Sequence, residues 1–129
     1  MDSVRTRNMV IDAATVAAAL VTSAPVRNRW DDPSSLAGMT VGALAAHLVR
    51  ATGATLAYLD RTDVNTEPEG ELLTPVSYFH AAVDSPIHDR IKEVSADEAT
   101  AGPDQVGSKA GEVAALLAER LPAEPEDRL

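Results

Sequence analysis

Apolar residues recur along the chain at spacings of three and four, and no stretch alternates strictly for more than about four residues, the least a strand needs. The pattern predicts helices and no sheet. A first helix is expected over residues 3–24, with Asp2 or Ser3 as its cap and Pro25 as its end. Its apolar positions fall on two faces: Val4, Ile11, Ala14, Ala18 and Val21 on one, Met9, Val16 and Leu20 nearly opposite. A helix buried on one side needs only one such stripe. The second stripe points to packing between neighbours or to a contact with another chain.

A loop follows over residues 26–39, marked by Pro33 and Gly38, in which Trp30, Leu36 and Met39 are expected to pin the chain across the bundle end. Thr40 then caps a second helix that runs to about residue 60. Its stripe is Val41, Leu44, Leu48, Thr52, Leu56 and Leu59. Gly42 and Gly53 lie inside this helix, where each costs about 1 kcal/mol relative to alanine, so close packing against another helix is expected at both. Residues 61–73 read as an acidic loop. Thr74-Pro75 opens a helix to about residue 84, and Ser85-Pro86 repeats that signal, with Ile87, Ile91 and Val94 continuing an apolar face. Gly102-Pro103 breaks the chain before a last helix over residues 104–121, with Val106, Ala110, Val113, Leu117 and Leu121 as its buried edge. Residues 1–121 thus form one helical-bundle domain, and residues 122–129 an acidic tail.

Composition sharpens this picture. The chain has 129 residues, 45% hydrophobic but only 3% aromatic, so the core must be built from alanine, valine and leucine. Alanine and leucine favour helix, and few aromatics disfavour a β-sandwich. Eleven basic residues stand against twenty acidic ones, a formal charge of −9. Phosphate contacts need a basic face, so no nucleic-acid partner is expected. The absence of cysteine excludes disulfides, thiolate ligands and a cysteine nucleophile, and is compatible with the cytoplasm, where the protein is expected. Arg5 and Arg7 before an apolar run loosely follow the order of a secretory leader, but Asp12 interrupts the run and most of it is alanine. No run approaches the roughly 18 apolar residues of a membrane helix, so no membrane partner is expected.

Three histidines are the candidates for imidazole chemistry. His47 borders the stripe of the second helix, with Ala43, Ala51, Ala54 and Tyr58 at helical spacing. Small neighbours leave room for a ligand or for another helix, and a lone histidine there is more often structural. It is expected to face a groove between helices, beside Ala51 and Tyr58. His80, Asp84 and His88 stand at i, i+4 and i+8, but Pro86 between them breaks the register of a shared face, which favours solvent-facing roles. There is no Gly-rich phosphate loop, nucleophile elbow, HExxH or EF-hand loop. Glu67, Glu69 and Glu71 read as loop solvation.

The stretch from Trp30 through Gly38-Met39-Thr40-Val41 to Leu44-Ala45-Ala46-His47-Leu48 resembles the N-terminal metal-binding domain of the mycothiol-dependent maleylpyruvate isomerases, within the DinB-like superfamily. The specific part covers about twenty residues; the helix order agrees over most of the chain. The resemblance implies an all-α fold of DinB-like four-helix-bundle type, here truncated or rearranged. It implies a divalent metal, zinc or nickel, with His47 as one ligand, and mycothiol or another small-molecule thiol as cosubstrate. The family's two further ligands lie on a final helix that would follow residue 129, and residues 104–121 carry no Glu-x-x-x-His or His-x-x-x-His pair. The expected function is therefore that of a metal-binding bundle resembling the mycothiol-dependent isomerases and S-transferases, with an incomplete site in this chain. The alternative is a non-catalytic helical interaction or oligomerisation module. A bundle lacking a core helix exposes apolar stripes, which a homodimer would cover; the other remedy is residues 75–101 folding over the gap.

Overall fold

The computed structural model describes residues 3–60, 76–77 and 86–125. The described residues form five α-helices: α1 (Ser3–Val21), α2 (Ala24–Asn28), α3 (Val41–Leu59), α4 (Ile87–Ala99) and α5 (Pro103–Arg120), with a 3-10 turn at Leu121–Ala123. No strand occurs among them, only an isolated bridge between Pro33 and Thr40. The protein is all-α, as the spacing predicts.

The last helix is the centre of the packing. α5 lies most extensively on α1 and next on α3, while α4 packs chiefly on α3. The order of contacts fixes the directions. Thr22, after α1, meets Gly107 near the start of α5, and Arg7 near the start of α1 reaches Leu121 past its end, so α1 and α5 are antiparallel. Asp60 after α3 pairs with Arg120 at the end of α5, so these two helices run the same way. The core divides into two clusters. Val21, Trp30, Ala45, Ala46, Val49, Val106 and Ala110 form one; Ala14, Leu59, Val113, Ala114, Leu117 and Leu121 form the other. All five positions predicted as the buried edge of the last helix are buried.

Several expectations are corrected. α1 ends at Val21 rather than at residue 24, and Pro25 opens α2 instead of merely stopping α1. Proline suits a first turn, because its missing N–H is unpaired there anyway. On α3 the predicted leucine stripe is only half-buried except for Leu59. The fully buried face is Gly42, Ala43, Ala45, Ala46 and Val49. Small side chains let helices approach closely, so the alanine face, not the leucine face, meets the core. On α4 Ile87 is exposed and the buried position is Ser95, whose hydroxyl has no hydrogen-bond partner among the described residues. Leu36 is exposed; Trp30 and Met39 do pin the loop. The helix expected from Pro75 to residue 84 lies outside the described residues, apart from Val76 and Ser77, which are helical.

The opposite end of the bundle is closed by Arg7. This buried guanidinium donates through Nη1 to the carbonyls of Leu121 (2.7 Å) and Glu124 (2.5 Å) and through Nη2 to that of Pro125 (2.8 Å). Carbonyls at a helix C-terminus lack intrahelical donors and carry partial negative charge. One cation thus serves three carbonyls, of which that of Leu121 also accepts from Glu124 N–H, and ties the beginning of the acidic tail to α1.

Arg7→Ala should lower unfolding stability by about 3 kcal/mol, since it removes three charge-assisted hydrogen bonds, one of them buried. Arg7→Lys should recover only part of this, because an ammonium lacks the forked geometry. Urea midpoints of the three proteins measure both effects. Ser95→Ala removes an unsatisfied buried hydroxyl and should leave stability unchanged or raise it by up to about 1 kcal/mol in the same assay.

Candidate functional site

The site is built at the start of α3. The first four N–H groups of a helix have no intrahelical partner of their own. Here the loop supplies them: Val41 N–H donates to the Asp32 carbonyl (2.8 Å), Gly42 N–H to the Trp30 carbonyl (2.7 Å) and Ala43 N–H to the Thr40 hydroxyl (3.0 Å). Leu44 N–H closes the first turn on the Thr40 carbonyl (3.0 Å). The N-terminus of α3 is therefore saturated from within the chain and offers no donors to an anion. Gly38, at φ +81°, makes the turn that brings the loop back, and Ser34 ties it by accepting from Leu36 N–H and donating to the Met39 carbonyl. Ser34 is thereby committed to loop structure.

Trp30 fixes the position of this assembly. Its indole lies on Gly42 so closely that a Cβ there would come within 2.5 Å of the ring, and its Nε1 donates to the Ala99 carbonyl at the end of α4 (3.0 Å). Gly42 is required by this contact, although the neighbour is a loop indole rather than the helix expected. Gly53 meets only Val113, at ordinary contact distance, so nothing there demands a glycine.

The second turn of α3 carries His47. It borders a hollow of about 320 Å³ between α1, α2 and α3, with Leu20, Val21, Val26, Leu44 and Leu48 among its walls. Ala51 shares the hollow, as expected; Tyr58, further along α3, does not line it. His47 is half-buried, and its Nδ1 is shut off from solvent with no hydrogen-bond partner among the described residues. No carboxylate and no second imidazole lines this hollow. His88 is exposed on α4, while His80 and Asp84 lie outside the described residues. Among the described residues no group of three or more histidine or acidic side chains is placed to hold a metal ion. A metal centre open for catalysis takes about three protein ligands; the hollow offers the single imidazole of His47.

A second depression, of about 660 Å³, lies between α3, α4 and α5, and no sequence motif had pointed to it. Its floor is Ala46, Val49, Gly53, Ala54 and Ala57, and its rim carries Asp97, Lys109 and the Arg50–Glu98 ion pair (2.6 Å). The readable signal was the run of small residues on α3, since a strip of Ala and Gly leaves a trough wherever no helix fills it. Nothing in this trough pairs a nucleophile with a base. At the far end of α3, Asp60 hydrogen-bonds Arg120 and holds its guanidinium further above an already high pKa.

No helix among the described residues is long and apolar enough to cross a membrane. Comparison with family models, with curated proteins and with solved structures gives no match to this chain.

Gly42→Ala should force the indole off α3. The expected result is a loss of about 2 kcal/mol from overpacking and a red shift in the emission of the single tryptophan. Unchanged emission with unchanged stability would show that the indole contact does not anchor the loop.

Proposed function

We propose that this chain is a metal-binding helical bundle of the DinB-like kind, related in function to the mycothiol-dependent isomerases and S-transferases, with His47 as its one ligand among the described residues. The observation that supports the reading is the isolation of the His47 imidazole in an otherwise apolar hollow. Leaving a buried polar nitrogen unpaired costs on the order of 1–3 kcal/mol. A fully apolar side chain in this hollow would avoid that cost, and a ligand role gives the imidazole a reason to be there. The Thr40 cap and the Trp30 anchor, which ties the start of α3 to the end of α4, fix the turn from which His47 projects. A single imidazole does not fit a tight catalytic centre, and no reaction step is assigned. A divalent cation held in such a bundle would supply one kind of chemistry, lowering the pKa of a small-molecule thiol such as mycothiol.

A one-ligand site predicts weak, reversible binding centred on His47. Titration with paramagnetic Ni²⁺ should broaden the His47 ring resonances in NMR spectra before those of His88, and His47→Ala should abolish that first phase. Broadening of His88 alone, or an unaltered titration in His47→Ala, would overturn the assignment.

A further inference from the structure

We draw no further inference here: the strongest candidate, the trough of about 660 Å³ between α3, α4 and α5, carries none, because its rim holds charges of both signs and nothing in the structure shows what covers its floor of Ala46, Val49, Gly53, Ala54 and Ala57.

Discussion

The indole of Trp30 is the contact on which the rest of the bundle's upper end depends. It is the only tryptophan in a chain with 3% aromatic residues, and it makes three contacts on two helices. Its ring lies on Gly42 of α3, its Nε1 holds the last turn of α4, and its own carbonyl receives the second N–H of α3. These three contacts demand one another. The ring reaches Ala99 only because Gly42 has no Cβ, and the carbonyl faces the helix N-terminus only because Gly38 turns the loop back. The register of α3 follows from this, and with it the direction in which His47 points.

A core made of alanine and valine explains why polar ties matter so much here. Alanine buries little area, so each helix contact contributes less than one built from leucine or phenylalanine. Close approach compensates in part, as at Gly107, where a Cβ would come within 2.8 Å of Thr22. At the end remote from Trp30 the closure is polar: Arg7 gathers three carbonyls, and Arg120 joins Asp60 to Glu124. The exposed pairs add little in water. The buried guanidinium of Arg7 is different, because it makes three charge-assisted hydrogen bonds at once.

Some of this was legible in the residues. The all-α class, the Thr40 cap, the Gly102-Pro103 break and the full buried edge of α5 follow from spacing and turn chemistry, which are local. The exposed second face of α1 was legible for the same reason. What sequence spacing misread was the choice between two faces of α3. Leucines mark the more hydrophobic face, but the contact distance available between helices decides which face is buried, and that distance is not written in any one helix. Arg7 was misread in kind. In the sequence it figured only beside Arg5, as the basic start of a leader-like order, and only the fold reveals that carbonyls more than a hundred residues away accept from it. Of the candidate site, the position of His47 beside a groove was legible; the apolar character of its surroundings was not, because Leu20 and Val26 come from other helices.

The apolar surroundings bear on what His47 is for. An imidazole in contact with a core normally spends one nitrogen on a nearby carbonyl or carboxylate, which fixes its tautomer and leaves the other nitrogen free for solvent or a ligand. The Nδ1 of His47 makes no such bond among the described residues. The ring borders a hollow walled by Leu44, Leu48 and side chains of α1 and α2. An imidazole left without that bond adds less to stability than an apolar residue of its size.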